Sequence, residues 1–167
     1  MAQESAEPID LNNVDFHEIA RRGDTEVMAV FLEAGLEPNL TDPQHHTLLM
    51  IAAYNGQPEM VSLLLENGAD PDLPDAQGST PLMGVCFKGH PDIGRLLLAG
   101  GANPNATNGA GATPLMMAAL FNSKALAEVL LEYGASPTTT DPRGLTAADI
   151  ATSNGHAGLA KLLARDA

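Results

Sequence analysis

The residues best suited to metal or proton chemistry are the adjacent pair His45 and His46. Imidazoles ligate transition metals and change charge near neutral pH. No third ligand stands at a fixed spacing from them, so a solvated turn is the expected role. Asp70 and Asp72 offer hard oxygens, but calcium takes about six to eight of them, and the rest are not in view. A solvated loop is expected there too. Cys86 is the sole cysteine. It rules out an internal disulfide framework and a cysteine-built zinc site. It falls at a small-residue slot of a helical pattern, where a buried, unreactive thiol is expected. There is no phosphate-cradling glycine loop, no nucleophile elbow and no carboxylate pair in a setting that would shift a pKa. The chain therefore reads as a non-enzyme with no catalytic residues, no metal and no cofactor.

Composition narrows the partners. The chain has 167 residues and a net charge of −13, which argues against nucleic acid and anionic membrane. Residues 1–79 carry fifteen acids and two bases, whereas residues 80–167 carry six of each, so the whole excess lies in the N-terminal half. No apolar run approaches the roughly 20 residues that span a bilayer. The first residues, MAQESAEPID, lack a basic start and an apolar stretch, so no signal peptide is expected. A cytoplasmic location follows, or a periplasmic one if a leader has been removed.

What must position any site is a repeat. Thr47, Thr80, Thr113 and Thr146 are 33 residues apart, as are Gly35, Gly68, Gly101 and Gly134. Gly23, Gly56, Gly89 and Gly155 share the period, with Asn122 in their fourth slot, and so do Asp42, Asp75, Asn108 and Asp141. Each threonine opens a short helix-like run, and Thr80 and Thr113 can cap it with their hydroxyls. Pro81 and Pro114 then take the first helical position. The glycines, and Asn122, supply the left-handed residue that ends the first helix. A second helix follows, with apolar residues at Ile93, Leu96 and Leu97 or at Leu126, Val129 and Leu130. Gly84 and Gly94 lie inside the helices of the third unit and mark it as the weakest, each costing about 1 kcal/mol relative to alanine. On that basis Gly94→Ala should raise stability.

The runs TLLMIAAYNG, TPLMGVCFKG, TPLMMAALFN and TAADIATSNG at this period resemble the ankyrin repeat. The resemblance covers residues from about 9 to 167. It implies an all-α ankyrin-repeat solenoid of five helix-turn-helix units with short hairpin loops: 9–41 as an N-terminal cap, 42–74, 75–107, 108–140, and 141–167 as a C-terminal cap. Residues 1–8 read as a flexible acidic tail. The family's usual histidine after Thr-Pro-Leu is replaced by Met50, Met83 and Met116, so packing must serve there. His90 and His156 follow the helix-ending glycine, where a structural role is expected, and His17 suggests nothing specific. The loop style and single-array size look like bacterial ankyrin proteins.

The resemblance also places a binding groove on the concave face, made of hairpin tips and the exposed side of the first helices. The two residues before each helix-ending glycine project there: Tyr54 and Asn55, Phe87 and Lys88, Leu120 and Phe121, with Arg21, Arg22, Ser153 and Asn154 at the ends. The tips add Asp42, Gln44, His45, His46, Asp75 and Gln77. Three of only six aromatic residues fall in this narrow class, and aromatic side chains dominate binding hot spots. The alternative is that some of the rings pack on a neighbouring helix. A non-catalytic protein-interaction module is expected, a monomer whose protein partner presents a basic surface to the acidic half. An immunity or inhibitor protein that neutralises a toxin or enzyme, and a stress-linked accessory protein, are the two roles that suit it. An enzyme with a cryptic site is the competing class, and it would need polar groups converging in the groove.

Overall fold

The computed structural model describes residues 14–165. The acidic tail expected at 1–8 lies outside them. Among the described residues the structure is helical, with an isolated antiparallel bridge between Thr41 and Thr47. Ten helices follow in pairs: α1 (Phe16–Arg22) and α2 (Thr25–Glu33), α3 (Leu48–Tyr54) and α4 (Pro58–Glu66), α5 (Pro81–Lys88) and α6 (Pro91–Ala99), α7 (Pro114–Leu120) and α8 (Lys124–Glu132), α9 (Ala147–Ser153) and α10 (Ala157–Arg165). The first helices of the pairs pack on one another in chain order, α1 to α9, and form a first row. Helices α2, α4, α6 and α8 form a second row behind it, and α10 packs on α9.

Helices this short are not stable in isolation. They persist because each pair shares its apolar face with the next. Phe31, Leu64, Leu97, Leu130 and Leu163 recur at the repeat period and all are buried, the last four completely. Ala52-Ala53 in α3 and Ala118-Ala119 in α7 are fully buried. Their small side chains let first-row helices approach closely. Met83 and Met116 are buried and Met50 nearly so, as expected for methionines used as packing.

Helix starts follow the threonines with one exception. The hydroxyls of Thr47, Thr113 and Thr146 accept the N–H of Met50, Met116 and Asp149 at 3.0, 3.3 and 3.2 Å. Thr80 does not, contrary to expectation. Its backbone carbonyl accepts the N–H of Met83 at 3.1 Å instead, a tighter first turn that bypasses the hydroxyl. The Thr80 hydroxyl is buried without a partner. First-row helix ends behave as the period implies: Gly89 has φ 77° and Asn122, standing in for glycine, φ 55°.

Two ladders tie the units together. At the tips, Gln44 and Gln77 carbonyls accept the N–H of Ala76 and Gly109, at 3.2 and 2.9 Å. The next rung would need an N–H from residue 142, which is proline, so this ladder stops there. In the loops after the second helices, side-chain oxygens of Asn39, Asp72 and Asn105 accept the N–H of Asp70, Asn103 and Ser136, at 2.8, 2.9 and 2.7 Å. Asp72 is thus a link between units.

The weakness assigned to the third unit needs correction at Gly94. A Cβ there would lie 2.6 Å from Leu126 Cδ2, a fully buried side chain of α8. The same slot carries Val61 and Ala127 elsewhere, so the facing leucine, not the slot, demands the glycine. Gly84 differs: its Cβ would meet only the Tyr54 ring, at an ordinary 3.6 Å. Gly94→Ala should therefore destabilise the protein by about 1–3 kcal/mol through overpacking. Gly84→Ala should leave stability unchanged or raise it by up to about 1 kcal/mol. Urea unfolding midpoints of the two variants check this, and a more stable Gly94→Ala would remove the close-packing explanation.

Candidate functional site

The face formed by first-row helix ends and hairpin tips holds the exposed apolar side chains in the centre of the molecule. Tyr54, Phe87, Leu120 and Phe121 are each 40–48% exposed. Among the described residues the other exposed large apolar side chains are Val27 and Val30 on α2 and Tyr133 at the end of α8, all in the second row. The period puts Tyr54 and Phe87 at the last turns of α3 and α5, and Phe121 at the end of α7. Their rings form a continuous row. Tyr54 and Phe87 stack with centroids 6.0 Å apart and an interplanar angle of 4°, and Phe87 meets Phe121 edge-on at 4.8 Å and 89°. The rings pack on one another and stay open to solvent on one side. Tyr54 also rests beside Gly84 of α5. The Lys88 ammonium lies over the Tyr54 ring, 4.5 Å from its centroid.

A cavity of about 540 Å³ runs between these rings and the tips. It brings together Asp42, His46, Tyr54, Asn55, Asp75 and Phe87 from the expected set, with Arg21 at its edge. Sequence reasoning did not anticipate its floor of Met50, Met83 and Met117 or its wall of Ser79 and Thr80. The methionine period covers Met50 and Met83 and pointed to core packing, while Met117 lies outside that period. A second cavity of similar volume, towards the C-terminus, is lined by Met116, Leu120, Asp141, Ile150 and Asn154 among others. Leu120 thus belongs to the second cavity. Gln44, His45 and Gln77 sit at the tips outside the lining of both cavities. Lys88 and Phe121 belong to the ring row above them.

The polar groups of the tips are mostly committed to holding the turns. Asp42 Oδ1 accepts the N–H of Gln44 and of His46, at 2.9 and 2.8 Å, and its Oδ2 meets His46 Nδ1 at 2.9 Å. Asp75, Asn108 and Asp141 repeat the two backbone bonds. His45 is exposed and takes φ 65°, at the turn position where Gly78 has φ 79°. Asn55 donates its side-chain N–H to the Ile51 carbonyl at 2.8 Å and so ends α3. Arg21 pairs with Glu18 of its own helix. Cys86 is fully buried and its thiol is pushed up to about 12, as expected for an unreactive cysteine. Among the described residues no cluster of three or more metal-ligating side chains occurs.

Helix pairs stacked in two rows, with hairpin tips bonded to their neighbours, define a helical repeat solenoid. The family model for ankyrin repeats (3 copies) matches residues 16–108, and that for ankyrin repeats (many copies) matches residues 96–151. The chain belongs to the ankyrin-repeat family, whose arrays are generally protein–protein interaction modules. No curated protein matches the sequence. No helix among the described residues is long and apolar enough to cross a membrane.

The tip carboxylates make the fold sensitive to acid. Desolvation opposes ionisation of Asp42, but the hydrogen bonds from His46 and Gln44 outweigh it and hold the carboxyl below its usual 3.8. The Leu145 N–H, and then the Arg143 contacts, do the same for Asp141 against some desolvation. A carboxyl more acidic when folded contributes fully above its unfolded pKa and loses that contribution as pH falls through the folded value. Urea midpoints should therefore fall between about pH 5 and pH 2. Asp42→Asn combined with Asp141→Asn should flatten the fall, because an amide oxygen already accepts both bonds at Asn108. A double variant as acid-sensitive as the parent would show that other groups govern this limb.

Proposed function

We propose that the chain is a non-catalytic binding module that takes a segment of a partner protein along the groove between its hairpin tips and first-row helix ends. The observation that carries this reading is the solvent-exposed ring row Tyr54, Phe87 and Phe121 beside the cavity. A contiguous exposed apolar patch rimmed by polar residues usually marks an interaction site. The polar lining supports binding over a reaction, since most of its groups are tied into turns and helix ends. Inhibition of a toxin or enzyme, and an accessory role under stress, are both uses of such a groove. Replacing Phe87 and Phe121 together with alanine should weaken the native partner at least about tenfold, given roughly 1.5–3 kcal/mol for each buried ring. The helical circular dichroism should be retained. Unchanged affinity in a folded variant would place the partner elsewhere.

Charge gives the partner a sign. All of the net −13 arises before residue 80, and Asp42 and Asp75 line the first cavity. A basic partner would be steered to that end, and steering acts mainly on association and fades with salt. Raising salt from about 0.05 to 0.5 M should slow association by about an order of magnitude, with a smaller change in dissociation. The combination Glu37→Gln, Asp42→Asn, Asp72→Asn and Asp75→Asn should mimic high salt. The asparagines keep the acceptors that Asn39, Asn105 and Asn108 already supply in the equivalent slots. An association rate indifferent to salt and to these substitutions would leave the charge as a solubility device.

A further inference from the structure

The four tips share one turn design and differ in what meets the second side-chain atom of its first residue. In each, Oδ1 of Asp42, Asp75, Asn108 or Asp141 accepts two backbone N–H groups. The second side-chain atom has a separate fate in each tip. Asp42 Oδ2 is met by His46, and Asp141 Oδ2 by Arg143 at 3.0 Å. Asn108 carries a neutral amide there. Asp75 has Ser79 where the first tip has His46, and Gln77 where the last has Arg143. Its Oδ2 has no hydrogen bond or ion pair with any described residue, and Asp75 lines the first cavity.

The wall thus offers a partner one carboxylate oxygen, Asp75 Oδ2, that no described residue engages. The aromatic side of the cavity points the same way. A cation already lies on that side: the Lys88 ammonium is 4.5 Å from the Tyr54 ring centroid. Arg21, which lines the cavity, is engaged by Glu18.

We infer that the groove is specific for a protein segment that presents an arginine next to an apolar residue. The arginine displaces the Lys88 ammonium from the Tyr54 ring, stacks there and donates to Asp75 Oδ2, and the apolar neighbour packs on the exposed Phe87 ring. Arginine suits the site better than lysine because its planar guanidinium stacks on rings while its edge still donates hydrogen bonds. This inference rests on the groove reading above and adds the chemistry of the occupant.

The test uses the full chain, immobilised, and a phage-displayed library of random peptides. The expected consensus holds an arginine beside an aliphatic or aromatic residue. A synthetic peptide of that consensus should bind Asp75→Asn about tenfold more weakly, while Asp141→Asn should bind it within about twofold. Asp75→Asn keeps the tip, since Asn108 builds the same turn. Replacing the peptide's arginine with lysine should cost several-fold. Enriched peptides without a cation, whose binding is lost in Phe87→Ala, would overturn the arginine specificity and leave the groove reading standing. Equal binding of the lysine peptide would also overturn it. A failure to enrich any sequence, or enrichment indifferent to Phe87→Ala and Phe121→Ala, would overturn both.

Discussion

Every feature of this protein depends on one constraint: a pair of seven- to nine-residue helices cannot bury its apolar face alone. Each unit is completed by its neighbours, and the column Phe31, Leu64, Leu97, Leu130 and Leu163 is buried along the whole stack. The stacking fixes the spacing between units. That spacing lets carbonyls and side-chain oxygens of one unit meet N–H groups of the next, in the tip ladder and in the ladder of Asn39, Asp72 and Asn105. These ladders are consequences of the stack. They hold each tip at a defined position relative to the next.

The same constraint creates the groove. Equivalent residues of successive units lie side by side, so an aromatic residue repeated at one register becomes a row of rings in space. Tyr54 and Phe87 occupy one register, and Phe121 comes one residue later, at the helix end. That small offset is compatible with the edge-on contact of Phe87 with Phe121, in contrast to the parallel stack of Tyr54 with Phe87. Gly84 lies beside the Tyr54 ring, at a distance that would also admit a methyl group.

Much of this was legible in the sequence because strict periodicity converts one-dimensional spacing into adjacency. The helix pairs, the left-handed residue at Asn122, the buried Cys86 and the exposure of Tyr54, Phe87, Leu120 and Phe121 all follow from register. What was not legible depends on contacts between different registers. Thr80 and Thr113 open the same Thr-Pro-Leu-Met run, yet only Thr113 caps its helix, because backbone bonding in the first turn of α5 bypasses the hydroxyl. The demand for glycine at position 94 comes from Leu126, which belongs to the next unit and to a neighbouring register. The cavities arise from tips and helix ends together, so their methionine floor could not be separated from core by spacing alone.

The central claim is that recognition belongs to the first-row face and its rings. It is tested most directly by photo-crosslinking in the native cell, with benzoylphenylalanine placed at position 87 in one variant and at position 30 in another. Phe87 and Val30 are both exposed, at 48% and 58%, but they lie on opposite rows. The account predicts a discrete protein adduct from position 87 and none from position 30. An adduct from position 30 alone would move the binding surface to the second row and contradict it.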